Sequence, residues 1–304
     1  MLNRYRIIDR RLVAVDEPPY SLLICVMPDE AEKRFMVGDL KLDEHTLQSA
    51  LDPDELARVE FEPEHIALIY KHPGTYIAQD EFLFRVKSIG AYIFKDFLLL
   101  ISAEEIAIPG SFTTASSTSP VGLLLKIFNR TIVHFREHLK VIGKIAEELE
   151  DKISASLSNQ HLIHLFTLQK SLVYYVEALT SNGALLERLR RQTGRVGFTQ
   201  EESELLDDTV IDNDQCLKQA EIATNILANL MDARVSIVSN NLNVLMKTLN
   251  IITIGIMVPT LVVSAFSMNV RIPLAQMYYA FWIIIGLAML SMVAFLIFWR
   301  YKKW

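Results

Sequence analysis

Between Asp232 and Ser264, polar and Met side chains recur at alternating steps of three and four residues. Forward from Asn243 they are Met246, Asn250, Thr253, Met257, Thr260 and Ser264; backward they are Ser239, Ser236 and Asp232. Such steps keep residues on one face of an α-helix. The positions between are mostly Val, Ile and Leu, and no charged residue occurs from Thr248 to Val270. At about 1.5 Å rise per residue, that stretch is long enough to cross a hydrocarbon core of roughly 30 Å. Polar groups at that depth face protein or water, not lipid tails. Two chemistries fit. Either the Ser, Thr and Asn side chains hydrogen-bond between helices, or several copies of the helix each give one stripe to a water-filled ion path. The seam has a period of 3.5, so it drifts by about 20° per heptad on a straight helix. Spacing alone does not count the copies.

Other residue groups invite chemistry of their own. Asn269 stands just beyond the stripe, either as a helix C-cap or as an amide oxygen offered to a hydrated cation. A small, hard divalent cation gives up its waters reluctantly. A ring of amide and carbonyl oxygens recognises such an ion through its water shell and still lets it leave. Asp208 and Asp212 share a helix face at i, i+4, beside Asp207 and Asp214; they form a solvated acidic face or part of a cation site. His134-Phe135-Arg136-Glu137-His138 spells H-x-x-E-H, a zinc-protease pattern. It lacks an apparent third ligand, and a packed polar helix face explains it, as it does His161 and His164. No Walker motif or Gly-rich nucleotide loop is present. Cys25 and Cys216 are far apart, which argues against a disulfide framework or zinc ribbon.

The end of the stripe, Pro259-Thr260-Leu261-Val262-Val263-Ser264-Ala265-Phe266-Ser267-Met268-Asn269, resembles the signature of the CorA family of magnesium channels. That signature is a Pro-Thr-Leu run, an aromatic, and Gly-Met-Asn at the end of the first of two C-terminal membrane helices. Here Ser267 stands in place of the Gly. The resemblance implies that Ser267, Met268 and Asn269 form the selectivity filter. It further implies that Met246 and Leu249 form an apolar constriction, with Asn243 one turn inward and Asp232 as an acidic ring at the cytoplasmic mouth. The pore-lining set is then Asp232, Asn243, Met246, Leu249, Asn250, Thr253, Met257, Thr260 and Ser264. Asp208 and Asp212 become candidate ligands for a regulatory cytosolic Mg²⁺ held between subunits, with Asp80 and Glu81 as candidate partner acids. Two departures from the family, Ser267 and a connecting loop that offers Arg271 and no acid, point to a changed ion preference (Zn²⁺, Co²⁺ or Ni²⁺) or to a homologue with little flux.

The elements that must position these residues follow from pattern. Residues 1–118 read as α/β, with strands at 21–27, 64–70, 82–88 and 91–101 and helical pieces broken at Pro53. The polar segment 111–120 is the best internal boundary. Residues 119–247 read as long stalk helices. The first follows Pro120; the second runs from about Asn159 to Arg191 with Ser158 as N-cap, loosening at Ser181-Asn182-Gly183. A turn at TGRVG precedes a capping box of Thr199 and Glu202. The third helix then runs unbroken into the first membrane span, 248–270, roughly 100 Å in all. A helix that long needs neighbours, which predicts an oligomer. The second span is 277–299, with Tyr278, Tyr279 and Trp282 at one end and Trp299 at the other. The basic tail 300–304 carries Arg300, Lys302 and Lys303. The Lys/Arg bias places the C-terminus in the cytoplasm. The basic start, MLNRYRIIDRR, lacks the apolar core of a signal peptide, so the N-terminus is expected there too.

The net charge of −6, with half the residues hydrophobic, suits a membrane protein with an acidic soluble part and excludes a nucleic-acid binder. The expected fold class is an α+β membrane protein: a cytosolic α/β domain, long stalk helices and two C-terminal transmembrane helices. The resemblance adds a homopentameric funnel in a bacterial-type inner membrane. It also supplies the activity: a divalent cation channel, Mg²⁺ first, driven by gradient and membrane potential and closed by cytosolic metal. The competing class is a non-conducting membrane scaffold or sensor.

Overall fold

The computed structural model describes residues 2–9, 11–76, 82–106, 119–155, 160–269 and 277–302, and the side chains of 151–155 are not described. The chain divides into two compact units, Met1–Met231 and Asp232–Trp304.

In the first unit, β1 (Leu2–Ile8), β2 (Arg11–Ala14), β3 (Leu22–Val26), β4 (Arg58–Phe61), β5 (Ile66–Pro73), β6 (Val86–Ile93) and β7 (Leu98–Ser102) form one sheet, ordered β2-β1-β3-β7-β6-β5-β4. Among the described strands only the β3–β7 pair is parallel. These two central strands, LLICV and LLLIS, are almost wholly apolar because both sheet faces are covered. Alternate side chains separate cleanly. Leu23, Cys25, Leu99 and Ile101 pack with Met36, Leu42 and Leu47 from the side of α1 (Glu30–Gly38) and α2 (Glu44–Leu51). Leu22, Ile24, Leu98 and Leu100 join the larger core built with α3 (Pro120–Ala155) and α4 (Gln160–Arg191). Gly90 lets α2 lie close on β6, since a Cβ there would stand 2.5 Å from the Ala50 Cβ.

Several expectations are corrected. The strands read at 82–88 and 91–101 are β6 and β7, parted by the stacked Phe94 and Phe97. The stretch after Pro53 is not helical but strand β4, where Val59 is buried between Arg58 and Glu60, which are joined by a 2.6 Å ion pair. A strand of four residues leaves too little alternation to see. β1, β2 and α1 were not anticipated; α1 starts with a full capping box of Asp29 and Glu32. Ser181-Asn182-Gly183 does not loosen α4. Asn182 is buried there, accepting from the Lys71 amide at 2.8 Å and donating to the Lys71 carbonyl at 2.9 Å. β4 pairs with β5 only as far as Ile69, so the helix satisfies backbone that the neighbouring strand no longer reaches. The suggested N-cap Ser158 lies outside the described residues.

TGRVG forms α5 (Thr193–Val196), closed by Gly197 in the left-handed region at φ 79°. The Thr199–Glu202 box then opens α6 (Gln200–Phe266): the Thr199 amide donates to Glu202 at 2.9 Å and the Glu202 amide to Thr199 Oγ1 at 3.3 Å. The Ser119 hydroxyl also donates to Glu202. Leu206, Cys216, Ala220 and Leu227 of α6 belong to the larger core. Both cysteines are free and buried, and burial pushes their thiols up, to about 12 for Cys25 and about 11 for Cys216.

In the second unit, α6 from Asp232 onward is accompanied by α7 (Ala280–Lys302). Both helices are long and apolar enough to cross a membrane, and in a single chain neither buries any of its most apolar stretch. Pro259 lies inside α6 without a break in the helix.

Candidate functional site

The membrane part of α6 has two distinct faces. Ile251, Gly255, Val258, Pro259, Val262 and Phe266 are partly covered, as are Ala280, Ile284, Ala288, Ser291 and Phe295 on α7. These are the sides by which the two helices meet; a Cβ on Gly255 would stand 3.5 Å from the Phe295 ring. At about 100° per residue, the residues Met246, Asn250, Thr253, Met257, Thr260 and Ser264 centre roughly 170° away from that contact face. They and Asp232, Asn243, Leu249, Ser267, Met268 and Asn269 are all exposed in the single chain. The polar stripe therefore does not serve the packing of α6 on α7. Its hydroxyls turn to their own helix: Thr253 Oγ1 donates to the Leu249 carbonyl at 2.8 Å, and Thr260 Oγ1 to Ile256 at 2.6 Å. The contact side, with small Gly255 on α6 and Ala288 and Ser291 on α7, was not singled out in the sequence, although small residues at helical spacing are a recognisable contact signal.

α6 ends at Phe266, and the cap is made by Ser267. Its amide and its hydroxyl both donate to the Ser264 carbonyl, at 3.1 and 2.9 Å. Asn269 follows, exposed, at the end of the described segment. The loop with Arg271 lies outside the described residues, as does Lys303; Arg300 and Lys302 occupy the last turn of α7.

The acidic group on α6 is partly engaged within the chain. Asp212 pairs with Arg136 at 3.1 Å and accepts from Asn129 at 3.4 Å. Asp214 pairs with Lys218 at 2.7 Å, and Asp207 reaches Arg190 at 3.8 Å. Asp208 is exposed. Asp80 and Glu81 lie outside the described residues. Among the described residues no three His, Cys, Asp or Glu side chains stand where they could share a metal.

The H-x-x-E-H pattern on α3 resolves into packing. His134 and His138 lie 4.4 Å apart between ring centres, and His72 of β5 stands 5.4 Å from His134. His138 Nδ1 is 2.6 Å from the Tyr175 hydroxyl, and its ring meets Phe84. Glu137 points to the exposed side and reaches Arg130 at 3.9 Å. Burial holds all three imidazoles below the usual His range, His72 at about 3 and His138 at about 4, and each neighbouring His adds to the effect on those two. The three imidazoles thus pack against one another and against Tyr175 and Phe84. His164 likewise packs on Phe82.

The family model described as "CorA-like Mg2+ transporter protein" matches residues 22–302. The chain belongs to the CorA-like family. Among individual relatives, it is 26% identical over 306 residues to the cobalt/magnesium transport protein CorA of Methanocaldococcus jannaschii, covering 97% of this chain and 92% of that one. The complete structure of that organism's CorA magnesium transporter superimposes with a TM-score of 0.84 at 24% identity, over 98% of this chain and 96% of that one. The full-length CmaX protein superimposes with a TM-score of 0.75 at 15% identity over 99% of this chain and 97% of that one. The ZntB cytoplasmic domain from Vibrio parahaemolyticus gives 0.60 at 11% identity over 78% of this chain and 98% of that one. The CorA-like fold is thus shared by relatives that differ widely in sequence. For this chain it comprises the N-terminal α/β region, the long helix and two apolar C-terminal helices.

Proposed function

We propose that this CorA-like protein is one subunit of a homopentameric channel for divalent cations, Mg²⁺ above all, moved by ion gradient and membrane potential. The observation that carries the reading is the position of the polar stripe of α6, on the side away from α7. A helix with one face on its own partner and an opposite face of hydroxyls and amides needs something polar to look at. Symmetric copies around an axis supply it, each giving its stripe to a shared aqueous path. Asn269, beside a cap already made by Ser267, is then available to accept hydrogen bonds from the water shell of an entering ion. Ser267, Met268 and Asn269 form the filter, and Met246 and Leu249 close the path by excluding water. Residues 248–270 and 277–299 span the bilayer, 119–247 form the stalk helices, and the α/β region 1–118 and the tail 300–304 face the cytoplasm.

Regulation is assigned to Asp208 and Asp212, with a cytosolic divalent ion held between neighbouring subunits. In that arrangement the ion takes the exposed Asp208 first and competes with Arg136 for Asp212. Transport of Zn²⁺, Co²⁺ or Ni²⁺ is the second reading, favoured by Ser267 at the filter and by the cobalt in the name of the Methanocaldococcus relative. Uptake into dye-loaded proteoliposomes with a panel of Mg²⁺, Co²⁺, Ni²⁺ and Zn²⁺ tests both. Mg²⁺ flux that responds to membrane potential is expected. Flux of none of the four would leave a non-conducting scaffold.

A further inference from the structure

β4 is short, and its pairing with β5 ends at Arg58 and Ile69. Beyond that point β5 at Lys71, the start of β6, α4 and the Pro53 turn enclose a cavity of about 380 Å³. Ordinary small-molecule sites have that size. The cavity lies wholly within the first unit. Four cationic side chains line it: Lys71 of β5, Arg85 just before β6, Lys87 within β6 and Lys170 of α4. The whole chain carries a charge of −6, so this gathering of cations runs against the composition. Lys71 is only 5% exposed. Its amine donates to the Pro53 carbonyl at 2.7 Å and to Ser88 Oγ at 3.3 Å, both neutral acceptors. An ammonium has three protons, and among the described residues the third has no acceptor. Burial holds this amine below the usual Lys range, against an opposing pull led by Glu177 and Asp54. A buried charge without an ion pair is costly, and a bound anion relieves it.

The rest of the lining narrows the ligand. Arg85 and Lys170 are exposed, and Lys170 stands 5.8 Å from the centre of the Tyr174 ring. Lys87 is held by Glu104 at 2.8 Å. Asp54 and Glu177 are the acids of the wall. With Glu104 included, four cations meet three carboxylates. Such a wall is too mixed for a bare polyanion. It suits a phosphate joined to hydroxyl groups and a flat ring. Lys and Arg take phosphate oxygens, carboxylates accept from ribose hydroxyls, and an aromatic face stacks on a base. We propose that this cavity binds a nucleoside phosphate. Lys71, Arg85 and Lys170 hold the phosphate end, Asp54 and Glu177 accept from the sugar, and Tyr174 offers its ring to the base.

The test is equilibrium dialysis of the full-length chain in detergent against ADP. EDTA is present, so that chelation of metal by the nucleotide plays no part. Saturable binding is expected; none at about 1 mM, the weak end of specific affinity, overturns the proposal. Arg85→Glu and Lys170→Glu alter exposed residues and should each weaken ADP about tenfold or more, the scale of one lost charge-assisted hydrogen bond. Lys41→Glu makes the same charge change outside the lining and should leave binding unaltered. An equal loss in Lys41→Glu would mean unspecific attraction and overturn the site. Lys71→Met should abolish binding; if that protein does not fold, the two exposed variants decide. Ribose 5-phosphate and inorganic phosphate separate the parts of the ligand. ADP should bind about three- to tenfold more tightly than ribose 5-phosphate, and Tyr174→Ala should erase that gap. Equal affinity for ADP and inorganic phosphate overturns the nucleoside assignment. Binding is read without metal or transport, so these outcomes stand apart from the pore reading.

Discussion

The two units of this chain bury their apolar surface in opposite ways. Met1–Met231 contains its own answer: a sheet covered on both faces, with Leu22, Cys25, Leu98, Leu99, Leu100 and Ile101 all at 0% exposure. Asp232–Trp304 contains half of one. Its helices touch along Gly255 and Phe295, while the most apolar stretch of each remains 0% buried. The first unit stores the information for a structure in one chain. The second does not: lipid must cover its apolar flanks, and on the proposed reading other copies cover its polar stripe. Damage to the first should therefore register as stability, and damage to the stripe as transport.

The sharpest way to break that contrast is Asn269→Ala. On the proposed reading one acceptor is lost from every subunit at once, so modest losses multiply around the ring. Uptake per assembled oligomer should fall by roughly tenfold or more, at an unchanged melting temperature. A protein that melts early instead would make Asn269 a structural cap. In the other unit, Asn182→Ala should do the reverse. It strands the buried amide and carbonyl of Lys71, costing about 3 kcal/mol by the usual penalty for unsatisfied buried groups. The full-length protein in detergent should melt several degrees lower, while any oligomer that survives conducts normally at low temperature.

Acid gives a gentler probe of the first unit. His72, His134 and His138 are held neutral by burial, below the pKa of about 6.5 they regain on unfolding. The unfolded chain therefore binds more protons, and the stability from these groups is full above about pH 6.5 and declines toward pH 4. Circular-dichroism melts between pH 7 and pH 5 should show the midpoint falling with pH, and His138→Phe should flatten the trend. An unchanged slope would remove the trio from the account. The smallest effect is expected from Asp208→Asn with Asp212→Asn. If they hold a closing cation, added Mg²⁺ should protect the double variant from proteolysis about two- to threefold less than the parent; carboxylates matter because hard cations favour charged oxygen ligands. Equal protection returns both to surface acids, with Asp212 serving Arg136.

Legibility in the sequence follows the same division. The long helix, its capping box and the second apolar helix were visible because their patterns are long and a 3.6-residue period accumulates evidence. β1, β2 and β4 were not, because strands of four to seven residues with arginines on one side offer too few alternations. The polar stripe was legible as a periodicity, but its direction was not: only the partly covered Ile251, Gly255, Val262 and Phe266 reveal which side α7 occupies. His72 is 62 positions from His134 in sequence, and no spacing rule joins a strand residue to a helix it packs beneath. The inward hydroxyl bonds of Thr253 and Thr260 follow from a general habit of Thr in helices.

Asn182 also bears on how copies of this chain avoid one another. Among the described residues no strand pairs with the outer side of β5 past Ile69, and an open strand edge invites pairing with the same edge of another molecule. Here the side-chain amide of a helix occupies both hydrogen-bonding groups of Lys71 and imitates a strand that is absent. A growing sheet finds no foothold at that position. One position on the outer side of β5 is thereby closed to a strand of another chain by a single carboxamide.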